Sequence, residues 1–459
     1  MSLKRIPKPV IIVLSAIVLC LALYIVFNMI FSPYWDSVYA PMGYFSLASM
    51  RQAEPADTIY TKKQACDDLD YLVKFLGRVH PYYIDGVSDD INTLLQNKKD
   101  SFGEEVSTYE LWRSAAEIAS KADDPETLVM PSFAQNYLVD YINKLNSGYT
   151  PVSVNKVKIT QMLQDNSQYF SFDSETKGLS LITALFQSRE GYTFLNIDTE
   201  NLSVEYISPN GTTILQTYSD KDFYPYEEAV NMIEVQPAEP YTSIIEDEKN
   251  YGLITINTCE YDSDYKKFVY EFFGEVTSKG IENVIIDLSN ASTGSSQVAD
   301  EIIMYLPQDT INTPGGKLRM GPYLMKWDGE TQRINHYDDM LFDGQVYLVI
   351  SEKTSSSGTI AAEMFIDNGL AISIGTPCGS IPQCCGDVAV FQTPNAALSF
   401  QVSTKCFDRI DQSKSELPLE PDFICDSEET LDKAKEFILK LDYQKSQTRK
   451  RADLLRSTL

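Results

Sequence analysis

The pattern of hydrophobic and polar positions starts with a long apolar run and then changes character along the chain. Val10 to Phe27 is almost continuously apolar, and the first charge after it is Asp36. At a rise of about 1.5 Å per residue, about 20 such residues cross a bilayer core of about 30 Å. Three basic residues precede the run: Lys4, Arg5 and Lys8. Because positive residues stay in the cytoplasm, the pattern predicts a cytoplasmic tail at 1–8, a transmembrane helix at 9–31 and an extracytoplasmic main domain at the cell membrane.

A cleaved signal peptide is the alternative for this N-terminal run, because Val38 and Ala40 could form a weak cleavage site. The run is longer than the roughly 7–15 residues of a signal h-region, which favours an anchor that stays in place. Residues 32–58 contain three prolines and show no clear period. We therefore expect them to form a stalk between the membrane and the domain.

Helical spacing begins after the stalk. Thr61 and Gln64 form a capping-box signature, and apolar residues then repeat every three or four positions. Ser107 and Glu110 form a second such signature. The pattern predicts a helical lobe over residues 59–150.

The middle of the chain shows the alternation of strands. Alternating and β-branched stretches flank Pro209-Asn210-Gly211, a hairpin signal, which predicts a β-rich segment over 151–245. Strand patterns then alternate with helical patterns, as in an α/β core. This organisation predicts a core over 246–430, followed by a C-terminal helix and basic tail at 431–459.

Composition restricts the partners of the chain. It has 65 Asp and Glu against 38 Lys and Arg, which gives a formal net charge of −27. Such a charge repels phosphate backbones, so we expect no nucleic-acid partner.

Cysteines are concentrated near the C-terminal end of the predicted core. Four of the seven that lie outside the apolar run fall within residues 378–406, which predicts one or two disulfides beside buried free thiols. Cys384 and Cys385 could ligate a metal, but no C-x-x-C pair and no nearby His accompanies them. We therefore expect no metal and no cofactor.

A serine-rich turn is the first candidate for chemistry. The apolar strand pattern 346–350 runs into Ser351–Gly358 and then into a helix. A serine at such a turn projects from the sheet edge, and N–H groups at the helix N-terminus can hold an oxyanion. Serines before helices are more often simple N-caps, so the turn alone does not define an active site.

Six segments, in order, resemble motifs of the C-terminal-processing (tail-specific) serine peptidases, in the branch related to the tricorn core. They are Tyr251–Asn257, Asn283–Gly294, Val346–Gly358, Ile374–Pro382, Leu398–Phe407 and Leu419–Asp422. The resemblance spans roughly residues 60–430. It implies a ββα spiral of the ClpP/crotonase type, preceded by a helical cap, with strands 252–257, 283–288 and 346–350 adjacent in one sheet.

The same resemblance implies roles for individual residues. Ser356 matches the position of the nucleophile. The groups that would bind the oxyanion and substrate are Ser357, Gly358, Ser292, Thr293 and Gly294. Ser292 and Thr293 stand where the family has glycines, which restricts a close backbone approach.

The general base is where the chain departs from the family pattern. Tyr149 stands where the tricorn-like branch has a His, and the Lys that other members carry about 25 residues after the serine is missing. Tyrosine ordinarily titrates near pH 10, so it is a poor base at neutral pH. Lys405 and His80 are the other candidate bases, after Tyr149 in order of position.

Two functions remain open. One is a membrane-anchored serine endopeptidase that binds and cleaves polypeptides through Ser356. The other is a catalytically inactive homologue that acts as a peptide-binding or cell-surface module. The family resemblance favours the first, and the missing base and altered glycine loop favour the second.

Overall fold

The computed structural model describes residues 8–41, 45–52, 54–131, 133–234, 239–425 and 429–440. The predicted cytoplasmic tail, apart from Lys8, and residues 441–459 of the predicted C-terminal tail lie outside these ranges. Residues 430–440 are helical.

The N-terminal apolar run forms helix α1, Lys8–Phe31, which has 24 residues. At about 1.5 Å per residue its length is about 36 Å. One helix in the described part of the chain, Val13–Tyr34, is long and apolar enough to cross a membrane, and none of its apolar window is buried in the protein.

The following region is mainly helical. Its elements are β1 (Ser37–Tyr39), β2 (Ile59–Thr61), α2 (Lys62–Val79), α3 (Asp89–Ser101), β3 (Glu105–Ser107), α4 (Thr108–Ser120), β4 (Leu128–Met130), β5 (Asn136–Leu138) and α5 (Val139–Asn146). Helix α2 starts with a complete capping box between Thr61 and Gln64, as the sequence predicted. At the start of α4 the Ser107 hydroxyl accepts the N–H of Glu110.

The middle segment contains helices as well as the expected strands. Its elements are β6 (Thr150–Val154), β7 (Val157–Lys158), α6 (Ile159–Asp165), α7 (Glu175–Leu185), α8 (Arg189–Phe194), β8 (Leu202–Ile207), β9 (Thr213–Tyr218), β10 (Phe223–Pro225) and α9 (Tyr226–Ala229). Strands β7, β6, β8 and β9 form an antiparallel sheet in that order. The hydroxyls of Ser174 and Ser188 cap α7 and α8. The β-branched stretches of this segment had predicted mainly strands. The segment also contains helices, because local serine caps start them.

The C-terminal half alternates strands with helices. Its elements are β11 (Tyr241–Glu246), β12 (Tyr251–Ile256), α10 (Ser263–Lys279), β13 (Asn283–Asp287), α11 (Gln297–Ile303), β14 (Thr310–Asn312), β15 (Gly316–Met320), β16 (Tyr323–Trp327), β17 (Thr331–Arg333), β18 (Gln345–Ile350), α12 (Ser357–Ile366), β19 (Ile372–Gly375), β20 (Cys385–Gln392), β21 (Ser399–Phe407) and β22 (Phe423–Ile424). Short 3-10 helices lie at Ser32–Tyr34, Pro81–Tyr83, Ser167–Tyr169, Asp220–Asp222, Asp247–Lys249, Asp338–Met340 and Gln412–Lys414.

A six-stranded sheet, in the order β11-β12-β13-β18-β19-β22, organises this half. All neighbours from β12 to β22 pair in parallel, and β11 pairs antiparallel. Every residue of β13 is buried, as parallel strands with covered faces require. The expected adjacency of the strands at 252–257, 283–288 and 346–350 is confirmed.

A second sheet, in the order β1-β20-β21-β15-β16, joins the two halves of the chain, and β4 also pairs with β21. The Phe75 ring of α2 packs on the Phe391 ring of β20 at 4.5 Å. The buried Asp68 carboxylate accepts hydrogen bonds from Thr393, Asn395 and Ala396. The helical region and this sheet therefore share one hydrophobic core.

The segment expected to be a stalk is attached to the domain instead. Strand β1 pairs with β20. The Arg51 guanidinium donates to the carbonyls of Thr393 and Pro394. The prolines of this segment had suggested an extended tether. Instead, the backbone N–H and C=O groups of β1 form hydrogen bonds with β20 of the domain.

One disulfide, Cys385–Cys406, joins β20 to β21. Within the described residues, the remaining cysteines are free thiols, and two of them, Cys259 and Cys378, are buried. This agrees with the expected combination of a bridge in the 378–406 region and buried free thiols.

Candidate active site

Ser356 lies at the turn between strand β18 and helix α12. It is the N-cap of α12, with φ 51° and ψ −122°. A positive φ is uncommon for a residue with a Cβ, and such a conformation costs about 1–3 kcal/mol. In α/β hydrolases, the nucleophilic serine also lies on a sharp, strained turn between a strand and a helix.

The residues around Ser356 hold the backbone of the turn through hydrogen bonds. The Ser356 N–H donates to Ser380 Oγ at 3.0 Å. Ser380 Oγ in turn lies 2.9 Å from Thr359 Oγ1. Ser356 itself is partly exposed. Its hydroxyl makes no hydrogen bond to any residue that the structure describes.

The loop after β13 packs directly against this turn. The Ser355 N–H donates to the Ala291 carbonyl at 3.0 Å. Ser357 Oγ donates to the Gly294 carbonyl at 2.7 Å. A Cβ on Gly358 would lie 2.1 Å from the Ala291 oxygen, so only glycine fits this contact.

Gly294 is the second glycine that the site requires. Its φ is +113°, and a Cβ there would lie 2.1 Å from the Cys259 carbonyl oxygen. The Cys259 N–H donates to the Thr293 carbonyl at 2.7 Å, which fixes the loop. These two contacts therefore fix the path of a loop that has only one of the glycines of the family motif.

Three backbone N–H groups near Ser356 have no hydrogen-bond acceptor among the described residues. They belong to Ser357, Ser292 and Thr293. The Ser357 N–H is at the first turn of α12, where helix N–H groups lack an intrahelical acceptor and the helix dipole favours negative charge. The structure thus brings together the serine turn and the glycine loop that the sequence predicted as one site.

Tyr149 is not joined to this group. Its ring lies edge-to-face with that of Tyr206 at 6.4 Å and packs in the core shared by the helical region. In the described part of the chain, no hydrogen bond or ring contact links Tyr149 to Ser356.

His80 has both ring nitrogens engaged elsewhere. The Tyr82 N–H donates to Nδ1 at 3.2 Å, so the ring proton is on Nε2, which lies 3.2 Å from Asp124 Oδ2. Both side chains are fully buried. Burial alone would raise the pKa of Asp124, but the hydrogen bonds from His80 and Thr127 outweigh it and lower that pKa. The pair is a structural element of the helical region.

Lys405 is held by aromatic rings. Its ammonium lies 4.1 Å from the centre of the Phe407 ring and 5.6 Å from that of Trp327. Burial lowers the pKa of Lys405. No hydrogen bond joins it to Ser356 within the described residues.

Two residues of the site were not identified from the sequence. Ser380 lies within the motif Ile374–Pro382, so its position next to the Ser356 turn could have been inferred from that motif. Asp173 accepts the Ile381 N–H at 3.1 Å, and burial raises its pKa. No sequence signal marks Asp173, because its contact joins residues 208 positions apart.

Two open cavities are lined by residues of the elements that carry the site. One, of about 700 Å³, lies along α11 and α12 and is lined by Ser296, Gln297, Ile360, Met364, Trp327 and Lys405, among others. The other, of about 330 Å³, is polar and includes Asp173, Ile381, Cys384 and Asp124. Either is large enough to receive side chains of an extended polypeptide.

One group of side chains has the spacing of a metal site. The ligand atoms of His80, Asp124 and Cys385 lie within 4.8 Å of one another. Cys385 is oxidised to a disulfide with Cys406, and His80 Nε2 carries the ring proton. A disulfide offers a metal no thiolate, and the Nε2 proton is directed at Asp124, so this set does not fit a cation.

The fold and the serine turn define a mixed α/β protein with a serine at a sharp turn between a strand and a helix. Residues 250–405 match the model of peptidase family S41. The resemblance to C-terminal-processing peptidases is thereby confirmed.

Solved structures share the fold over most of the chain. Mature CPAF complexed with lactacystin aligns with a TM-score of 0.57 and 14% identity over 84% of this chain and 98% of that chain. Mature CPAF aligns with a TM-score of 0.56 and 14% identity over 83% and 96%, respectively. At such identity the likeness establishes a mixed α/β peptidase fold. No curated protein matches the sequence.

Proposed function

We propose that the chain is a membrane-anchored, extracytoplasmic member of peptidase family S41 that binds polypeptides at the Ser356 turn and hydrolyses them slowly. Its core is a ββα spiral, and the helical region over 59–150 acts as its cap. The observation that carries the proposal is the backbone of Ser356, with φ 51° and ψ −122° beside a helix N-terminus.

Strain at this position supports a catalytic role for the serine. Glycine would adopt the same backbone angles without the Cβ penalty. A serine that costs about 1–3 kcal/mol of strain is retained where the strain serves a function. As a simple N-cap, Ser356 would accept an N–H of the first helical turn, and its hydroxyl accepts none.

The neighbouring groups have matching roles in the proposal. Ser356 is the nucleophile, and the N–H groups of Ser357, Ser292 and Thr293 stabilise the oxyanion of the tetrahedral intermediate. Gly294 and Gly358 allow the two backbone segments to approach each other. A polypeptide would lie in the cavity along α11 and α12, which begins next to the glycine loop.

Slow hydrolysis follows from the missing base. A positioned general base contributes about 10²–10⁴-fold to such a reaction. None of Tyr149, His80 and Lys405 is hydrogen-bonded to Ser356. Binding and oxyanion stabilisation alone leave a residual acceleration of about 10³–10⁴ over water. We therefore expect measurable but weak turnover that depends on Ser356.

A catalytically inactive homologue that only binds polypeptides is the second candidate. The same missing base favours it, together with Ser292 and Thr293 in place of glycines. This candidate predicts polypeptide binding without any Ser356-dependent cleavage.

Turnover of an unstructured polypeptide by the purified full chain in lipid nanodiscs tests the proposal. We expect weak cleavage that Ser356→Ala removes. Ser355→Ala, the same change at the preceding serine of the turn, is the matched control and should leave the cleavage in place. Binding with no cleavage in any variant would support the inactive homologue. Absence of both binding and cleavage would overturn both candidates.

The membrane anchor has its own test. If the N-terminus is cytoplasmic, protease treatment of intact cells should remove the region beyond Asp36. Protection of that region would contradict the proposed orientation.

A further inference from the structure

The end of helix α1 is in direct contact with the hairpin formed by β15 and β16. The turn residue Gly321 has φ +57°, and a Cβ there would lie 2.2 Å from the Met29 carbonyl oxygen. The Tyr34 hydroxyl donates to the Arg319 carbonyl at 2.8 Å. The tip of the hairpin is therefore packed on the last turn of the apolar helix.

The position of this contact along α1 sets its depth relative to a bilayer. Pro9 is the first residue after the last basic residue before the apolar run, and Met29 is 20 positions further on. At about 1.5 Å per residue, these positions are about 30 Å apart, which is the thickness of a bilayer hydrocarbon core. A helix that spans this core places the Gly321 turn at its outer boundary.

Exposed apolar side chains surround the same end of α1. Tyr323 and Met325, on β16 just after the turn, are 46% and 50% exposed. Leu47 is 68% exposed, and its N–H donates to the Trp35 carbonyl at 3.2 Å. The fourth member is Phe45, whose ring lies 5.3 Å from that of Phe31. We call these four residues the juxtamembrane patch: Phe45, Leu47, Tyr323 and Met325.

We propose that the juxtamembrane patch is embedded in the outer interface of the bilayer that α1 crosses, so that the domain lies against the membrane in one orientation. This inference rests on the proposed membrane anchor and is independent of the chemistry at Ser356. The patch is continuous with the apolar surface of α1, which identifies the bilayer as its occupant. Tyrosine with an apolar ring and a polar hydroxyl is suited to the headgroup level.

The net charge does not favour this attachment. The chain has a net charge of −27, so an anionic lipid surface repels the domain as a whole. Burial of the apolar patch is the attraction that remains, and it is insensitive to salt. The attachment of residues 32–41 and 45–52 to the domain, in place of a free stalk, removes the slack that would let the domain move away.

Depth-dependent quenching of tryptophan fluorescence tests the proposal on the full chain in bilayers. Trp35→Phe removes the native tryptophan nearest the interface, and Tyr323→Trp then places an indole in the patch. Tyr270→Trp is the matched control, because Tyr270 is 52% exposed on α10 and lies outside the patch. We expect brominated phosphatidylcholine to reduce the emission of Tyr323→Trp relative to the Trp35→Phe parent, and to leave Tyr270→Trp unchanged.

Equal emission of Tyr323→Trp in brominated and ordinary lipid, in a chain that resists carbonate extraction, would overturn the proposal while leaving the anchor intact. Extraction by carbonate would overturn the anchor and this inference together, without affecting Ser356-dependent turnover. A third outcome is that lipid bromine has no effect on Tyr323→Trp, while its protection from aqueous acrylamide increases with the protein-to-lipid ratio. In that case a second copy of the chain would cover the patch, and the proposal would fail.

Discussion

Replacing Ser356 by glycine should stabilise the protein, because the strain at this turn belongs to the Cβ rather than to the hydroxyl. Relief of a positive-φ conformation contributes about 1–3 kcal/mol. The greater flexibility of glycine in the unfolded chain costs about 0.5–1 kcal/mol. We therefore expect Ser356→Gly to unfold with a free energy about 0.5–2 kcal/mol higher than Ser356→Ala, which keeps the Cβ.

The comparison with alanine isolates the backbone effect, since both variants lack the hydroxyl. That hydroxyl makes no hydrogen bond within the described residues, so Ser356→Ala should be nearly as stable as the native chain. Urea unfolding of the full chain in detergent micelles, followed by near-ultraviolet circular dichroism, measures the difference. Neither variant should cleave polypeptide.

A glycine variant no more stable than the alanine variant would refute this reasoning. It would mean that a Cβ at position 356 adds no strain to a backbone with φ 51°. The turn would then be an ordinary N-cap, and its conformation would give no support to a catalytic role.

Three further predictions concern the packing and titration of the core. Gly358→Ala should lower the free energy of unfolding by about 1–3 kcal/mol in the same urea assay, because the new methyl group meets a backbone carbonyl. Cys406→Ser should cost about 3 kcal/mol, since the disulfide closes a loop of sequence separation 21; its thermal unfolding should not respond to added reductant. Burial raises the pKa of Glu363 from 4.5 to about 8, so the folded chain holds a proton there that the unfolded chain releases. The contribution of protonated Glu363 to the free energy of unfolding is therefore at its maximum below pH 4.5 and is lost as the pH rises to about 8. Glu363→Gln should flatten the pH dependence of thermal unfolding over this range.

Each of these predictions has a control within the chain. Gly386→Ala should be nearly neutral, because nothing lies within 4 Å of a Cβ there. Cys425→Ser changes a thiol outside the disulfide and should keep the native response to reductant. A stability profile of Glu363→Gln that still falls between pH 4.5 and 8 would assign that fall to other groups.

Local signals in the sequence were sufficient for the elements that build the site. The apolar strand 346–350, the serine turn after it and the loop after 283–288 are each contiguous, and parallel pairing brings their carboxyl ends to one sheet edge. The family motifs added which serine of the turn is the candidate nucleophile. The roles of the individual site residues remain predictions.

Long-range contacts are what the sequence did not reveal. The pairing of β1 with β20, which attaches the expected stalk to the domain, joins segments about 350 residues apart. The packing of Tyr149 against Tyr206 is likewise a tertiary contact, which a motif alignment cannot show. The His80–Asp124 pair also depends on such packing.

Reaction with a fluorophosphonate, with the modified residue mapped by peptide mass spectrometry, tests most directly whether the Ser356 turn is the reactive centre. Our account predicts slow modification of Ser356 alone in the native chain and none in Ser356→Ala. Ser355→Ala, a change at the preceding serine of the same turn, should still be modified at Ser356. Equal labelling of the native chain and Ser356→Ala, or labelling spread over other serines of the turn, would contradict the account.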